Sequence, residues 1–177
     1  LSKGANINAK DTWGKSPLMV ALKSKHYNIA ELLASQQRLD VHLRGTKGNT
    51  ILHAMAADGD LTGVKLLLEK CQASPQRRNS DEENVLQVAL QHPYIVQHIC
   101  SKVDQTVLTK MIFNANICGH TVVHECAQNG YTDSLISIMK SVNFSNLSAD
   151  KVDLLLNTVG GEQEETPLIM AVKQNRE

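Results

Sequence analysis

Residues 48–70 read GNTILHAMAADGDLTGVKLLLEK. Thr50 stands before an apolar pair, Ile51 and Leu52, and a helical pattern follows through Met55 and Ala56. Apolar positions at that spacing put one stripe on one face of a helix. Gly59 then marks a tight turn, and a second helix carries Leu66, Leu67 and Leu68 toward the same interior. Two short helices joined this tightly cannot bury both apolar faces against each other, so the stretch requires neighbours of the same kind.

Such neighbours recur along the chain. The phrase GKSPLMVAL begins at Gly14, ENVLQVAL at Glu83, GHTVVHECAQNG at Gly119 and EETPLIMAV at Glu164. Each offers a small polar residue, two apolar residues and then a helical pattern. With Ser16, Thr50, Asn84, Thr121 and Thr166 taken as equivalent, the intervals are 34, 34, 37 and 45 residues. A period near 33 residues is the signature of one stacked supersecondary unit. Polar, glycine-containing links such as DTWG and RGTKG separate the pairs and suit a hairpin-like turn.

On these residues the chain resembles ankyrin-repeat proteins. SKGANINAKDTWGKSPL, residues 2–18, follows that family's junction between repeats, and residues 48–70 follow its two-helix unit. The resemblance implies an all-α solenoid of stacked helix-turn-helix units with β-hairpin-like connecting turns. It divides the chain into the end of a repeat (1–10), repeats at 11–44 and 45–78, a degenerate repeat at 79–113, a repeat at 114–161 with an insertion at about 142–161, and the start of another at 162–177. On this reading the array is cut inside repeats at both ends and belongs to a longer one.

Two copies depart from the pattern. The third has Gln87 where the family prefers His, and it loses the glycine between helices around His92-Pro93. The fourth holds a surplus in VNFSNLSADKVDLLLNTVGG, where Ser148 is expected to cap an extra helix running through Leu156, with Gly160-Gly161 ending it.

The stretch CGHTVVHEC, Cys118 to Cys126, poses a zinc question, because two cysteines bracket two histidines. The repeat register answers it without metal. Thr121 and His124 fall where Thr50 and His53 fall, and the resemblance implies that this Thr and His exchange hydrogen bonds that fix the first helix to its turn. Cys126 shares a column with Ala21, Met55, Ala89 and Ala171, where a thiol acts as a small hydrophobe. Only Cys118 and His120 remain on the turn, too few for the four converging ligands zinc needs. No metal or cofactor is expected.

Composition narrows the remaining classes. Lys plus Arg equals Asp plus Glu at 18 each, so bulk charge points to neither nucleic acid nor membrane surface. Residues 1–50 nevertheless carry eight basic against three acidic side chains, and residues 51–177 carry ten against fifteen. Four scattered cysteines fit reduced thiols in a cytoplasmic or nuclear protein. On the same ground the glycosylation-type triplets at Asn143 and Asn146 are discounted. No phosphate-cradling glycine loop appears, Asp81-Glu82-Glu83 reads as a solvated turn, and a linear stack supplies no converging oxyanion site, so no enzyme activity is expected.

The resemblance implies a protein-interaction scaffold or adaptor that binds through turn tips and the exposed side of the first helices. Carried over by position, the contact candidates are Thr12, Trp13, Lys15, Lys23 and Ser24, then Thr46, Lys47, Asn49, Ala57 and Asp58. The later copies offer Asp81, Glu83, Gln91 and His92, then Ile117, His120, Gln128 and Asn129, and finally Gln163, Glu165, Lys173 and Gln174. Trp13 is the leading anchor, since Trp is enriched at interface hot spots. The charge split predicts a partner segment whose acidic part lies toward the start of this chain and its basic part toward the end. Two alternatives stand beside the scaffold reading: a regulator of a transcription factor of the NF-κB-inhibitor kind, and the non-catalytic recognition region of a larger enzyme or channel. Asn8, in GANIN, matches a junction asparagine that is hydroxylated in some ankyrin repeats.

Overall fold

The computed structural model describes residues 5–142 and 148–174. Its helices form pairs: α1 (Pro17–Lys23) with α2 (Tyr27–Ala34), α3 (Ile51–Ala57) with α4 (Leu61–Lys65), α5 (Val85–Val88) with α6 (Pro93–Lys102), and, after α7 (Gln105–Ile112), α8 (Val122–Asn129) with α9 (Thr132–Ser141). Helix α10 (Ala149–Asn157) precedes α11 (Pro167–Gln174), which opens the last copy. Contacts run α1–α3–α5–α8–α11 along one row and α4–α6–α9 along a second. The described residues contain no strand, only an isolated bridge between Gly160 and Glu165.

The helix starts follow from their caps. Ser16 Oγ accepts the Met19 N–H at 3.4 Å and Pro17 supplies a preset first residue. Asp60 Oδ1 accepts from Gly63 at 3.0 Å, and Asp104 Oδ1 accepts from Val107 at 2.9 Å. Between the rows lies an aliphatic core in which Leu22, Leu52, Leu67, Leu86, Ile95, Ile99 and Leu108 are fully buried. Trp13 and Tyr94 stay outside it. Small aliphatic side chains are what lets short helices approach closely enough to stack.

Three details differ from the sequence expectation. After α4 the backbone continues through a π turn, Leu66–Lys70, so Leu66 and Leu67 are buried while Leu68 is only half-buried. The third copy contains a helix that the repeat pattern did not announce, α7, with Leu108, Met111 and Ile112 inside. Its α5 is correspondingly short, and the Leu90 carbonyl that a longer helix would leave near its end is satisfied by the buried Ser134 hydroxyl of α9 at 2.5 Å. Helix α10 begins after Ser148, but the serine side chain makes no cap bond. That helix ends at Asn157; Gly160 and Gly161 belong to the following turn, not to the helix end. The surplus at 142–161, with Asn143 and Asn146, lies partly outside the described residues.

Candidate protein-interaction surface

The first four connecting turns open five residues before the helix cap. The N–H of Asp11, Gly45, Asn79 and Asn116 donates to the carbonyl of Lys15, Asn49, Glu83 and His120, at 3.0, 2.8, 2.9 and 2.9 Å. Where the opener is Asp or Asn, its side-chain oxygen also accepts two N–H groups of the loop: Trp13 and Lys15, Asp81 and Glu83, or Cys118 and His120. Such side-chain turns mimic a backbone turn and fix the tip. The fourth residue sits at positive φ, near +76° at Gly14 and +79° at Gly119, where glycine carries no Cβ penalty. Neighbouring tips are joined by backbone bonds from Ser80 to Lys47, Ile117 to Asp81 and Gly161 to Cys118, at 2.9, 3.0 and 2.8 Å. From the second turn onward the edge is therefore one tied row.

Behind it runs a second set of ties. His53 Nδ1 lies 2.8 Å from Thr50 Oγ1, and its Nε2 lies 3.2 Å from the Glu83 carbonyl of the next copy. A carbonyl can only accept, so Nε2 carries the proton and Nδ1 accepts from Thr50. His124 repeats the arrangement with Thr121 Oγ1 at 2.9 Å and the Thr158 carbonyl at 2.9 Å. Burial holds both imidazoles below their ordinary pKa, in keeping with a neutral ring that must accept at one nitrogen. In the third copy Gln87 does the same work. Its Oε1 accepts the Asn84 N–H at 3.1 Å and its Nε2 donates to the His120 carbonyl at 3.1 Å.

The early part of the edge forms a cleft of about 290 Å³ between the first two full copies. Trp13, Lys15, Met19 and Lys23 line one side; Thr46, Asn49, Ala54, Ala57 and Asp58 line the other. Trp13 is 73% exposed, and the Lys15 ammonium sits 5.9 Å from the centre of its ring. That cation steadies the indole by its attraction to the ring face. Lys23 and Asp58 pair across the cleft at 2.5 Å. The arrangement offers an aromatic wall, an apolar floor and unspent cationic charge, a combination that can hold a polypeptide segment but carries no reacting group.

A family model for the ankyrin repeat matches residues 47–80. Among curated proteins the chain is similar to Rabankyrin-5 of Homo sapiens, 28% identical over 92 residues, covering 52% of this chain and 8% of the relative. It is also similar to alpha-latrotoxin-Lg1a of Latrodectus geometricus, 24% identical over 163 residues, 90% of this chain and 12% of the toxin. A third relative is the E3 ubiquitin-protein ligase XBAT33 of Arabidopsis thaliana, 25% identical over 133 residues, 75% of this chain and 24% of the ligase. Two solved structures share the fold. One is a crystallised ankyrin repeat protein, with a TM-score of 0.67, 23% identity and coverage of 80% of this chain and 71% of that one. The other is an ankyrin repeat domain from Acinetobacter baumannii AYE, with a TM-score of 0.69, 19% identity and coverage of 98% and 82%. The chain carries an ankyrin repeat and has the ankyrin-repeat fold. It spans less than a quarter of the length of these curated relatives.

Within the ankyrin array the contact candidates divide. Thr12, Trp13, Lys15, Ser24, Thr46, Lys47 and Gln128 are exposed. Others are engaged inside the protein: Asn49 Oδ1 accepts from Asn79, Glu83 accepts from Asn79, and the Asn129 amide bonds Glu125. Gln91 and His92 are each 3.0 Å from the Ala57 carbonyl, so they bridge copies two and three. Lys173 is held by Gln163 and Glu165. His120 is stacked on His124 with ring centres 5.7 Å apart and approaches Glu125 at 3.4 Å. Its Nε2 is buried without a hydrogen bond. Arg78 pairs with Glu82 at 3.0 Å, which reduces the acidity of the later turn.

Cys126 lies in the core, where burial pushes its thiol up to about 12, whereas Cys118 is exposed on the turn tip. Among the described residues no group of three His, Cys, Asp or Glu could hold a metal ion, and no helix is long and apolar enough to cross a membrane. Asn8 donates to the Arg38 carbonyl at 2.7 Å and accepts from Asp40 at 2.8 Å. His42 repeats half of that link by accepting the Ser74 N–H at 3.0 Å. The turn openers Asn79 and Asn116 and the double role of Gln87 escaped the sequence reading. The openers were visible as Asp11, Asn79 and Asn116, each five residues before a cap.

Proposed function

We propose that this array is a scaffold or adaptor whose partner segment lies along the turn edge and the exposed face of α1 and α3. Ankyrin repeats are generally protein-interaction modules. The observation that carries the finer reading is the cleft at Trp13: an exposed indole, braced by Lys15, faces Ala54 and Ala57 across a gap wide enough for side chains. Among the described residues no carboxylate is in ion-pair contact with Lys15, Arg44 or Lys47. Those cations favour a partner that is acidic toward the start of this chain, with its basic part toward Asp81 and the glutamates at 162–165. No nucleic acid, membrane or cofactor enters this reading. The setting we propose is cytoplasmic or nuclear, with the cysteines as thiols.

The test is affinity capture with mass spectrometry on the chain and on a Trp13→Ala, Lys15→Glu, Lys47→Glu variant whose helicity has been matched by circular dichroism. Partners lost only from the variant support the early edge. Partners kept by both remove it. Affinity unchanged by salt between about 50 and 500 mM removes the charge steering.

A second reading, that the array is the non-catalytic recognition region of a larger protein, is favoured by the relatives, each far longer than this chain. Regulation of a transcription factor has no observation of its own here. Asn8 is carried in the proposal as a hydroxylation position. Its amide is tied at both ends, so a dioxygenase must open the junction first, and an intact-mass shift after co-expression checks it.

A further inference from the structure

The turn that opens the third copy carries two arginines and a serine that the interaction surface does not use, in the run Arg77-Arg78-Asn79-Ser80-Asp81-Glu82-Glu83. Arg77 and Arg78 are the chain's one adjacent pair of arginines, and Ser80 follows them directly after Asn79. Ser80 is exposed at the turn tip, with its N–H held by the Lys47 carbonyl at 2.9 Å. Among the described residues its hydroxyl has no hydrogen-bond partner. That hydroxyl lies against Gly48 of the preceding turn. A Cβ built on Gly48 would stand 2.5 Å from Ser80 Oγ and 3.3 Å from Arg44 Nη1, so the serine oxygen and the guanidinium flank a glycine with no side chain to part them.

We propose that Ser80 is a phosphorylation site, selected by a basophilic serine/threonine kinase through Arg77 and Arg78, and that its phosphate is received by the Arg44 guanidinium of the preceding copy. Two of the three acidic residues that follow Ser80 are taken up within the turn. Glu82 pairs with Arg78, and Glu83 accepts from Asn79 at 2.9 Å. Arg77 is exposed and, among the described residues, in contact with no carboxylate. Arg78 also donates to the Glu82 and Ala115 carbonyls at 2.9 and 2.6 Å, so the kinase's acidic groove must replace these bonds together with the weak, exposed Glu82 pair. In the transfer, Ser80 Oγ bonds to the γ-phosphorus of a nucleoside triphosphate brought by the kinase. The bond from that phosphorus to the bridging oxygen breaks, the nucleoside diphosphate leaves, and the hydroxyl proton passes to the kinase's base.

The product places about −1.5 to −2 charges beside Arg44 and Lys47. A guanidinium and a phosphate pair in a bidentate fork, which would lock the second and third turns together. Resting on the function proposed above, the same charge cancels the basic edge, and affinity for an acidic partner falls about tenfold or more.

The experiment treats the full chain with ATP and the catalytic subunit of a cyclic-AMP-dependent kinase, and in parallel with an acidophilic casein kinase. Expected is the gain of one phosphoryl group, placed on Ser80 by fragmentation, absent in Ser80→Ala and slowed about tenfold or more in an Arg77→Gln, Arg78→Gln variant. Transfer only by the acidophilic kinase, or transfer indifferent to the arginines, overturns the assignment. So does transfer to a peptide of residues 74–86 without transfer to the folded chain, or to neither. Phosphorus NMR then follows the second ionisation of the phosphate. A lower pKa in the folded chain than in the peptide, restored by Arg44→Gln, is the expected result; identical titrations overturn the Arg44 contact. Neither readout involves a partner, so these outcomes are independent of the capture experiment.

Discussion

Thr50 with His53 and Asn84 with Gln87 hold equivalent places in neighbouring copies, and they reach the same bonds with different atoms. The imidazole accepts at Nδ1 and donates at Nε2 to Glu83. The amide accepts at Oε1 and donates at Nε2 to the His120 carbonyl. What differs is the surroundings. Beside Gln87 stands α7, and Asn84 donates its amide N–H to the Met111 carbonyl of that helix at 2.8 Å, whereas the Thr50 and Thr121 hydroxyls are engaged by the histidine rings. Asn114 adds a 2.7 Å donor to Gln87 Oε1. What reads as decay of the repeat is a coordinated exchange: a planar amide network replaces a hydroxyl and a ring where an extra helix brings extra backbone groups.

The comparison can be broken most forcefully at Gln87. Gln87→Leu leaves the buried Asn84 N–H without its partner and takes one hydrogen bond each from the His120 carbonyl and the Asn114 amide, which keep the Asn116 N–H and the Glu82 carbonyl. It is expected to cost about 3 kcal/mol, read as a shift in urea midpoint at constant slope. Next is Asn84→Thr, which keeps a cap but abandons the Met111 carbonyl, at about 1–2 kcal/mol by the same measurement. Smaller still is His53→Gln. If ring and amide are interchangeable, the cost stays near 1 kcal/mol or below, and a much larger loss would show that the ring's shape matters beyond its two bonds.

Acidity sharpens the contrast, because Gln87 does not titrate and the histidines do. Burial lowers His53, His124, His42 and His98 below their ordinary value. Below about pH 6.5 the unfolded chain therefore takes up protons that the folded chain refuses, and stability rises with pH through that window. Melting temperature is expected to fall as pH drops from about 7 to 5, with a shallower slope in a His53→Gln, His124→Gln double variant. The smallest effect on stability belongs to Trp13→Ala. With the indole 73% exposed, thermal melts should move by less than about 0.5 kcal/mol, while partner capture drops.

Much of this was legible in residues 48–70 and their echoes. Helix pairs and caps at Ser16, Thr50 and Thr121 follow from local spacing, which the 3.6-residue period makes readable. Helix α7 was hidden because the 37-residue interval barely departs from the norm, although Leu108, Met111 and Ile112 lie at helical spacing after Asp104. Within the candidate surface, exposure at Trp13, Lys15 and Lys47 could be carried over by position. The internal engagement of Asn49 could not, since it bonds Asn79 of the neighbouring turn, and that of Glu83 and His120 depends on how each turn folds back on Asn79 and on His124.

The sequence by itself determined the repeat unit, its helix starts and the column of clamping side chains, because these depend on residues within one turn of one another. Only the tertiary structure decided which carbonyls the clamps reach, how Ser80 comes to lie against Gly48, and where an aromatic wall meets an apolar floor. Those contacts join residues about 30 apart, and their distances are set by how each copy stacks on the next.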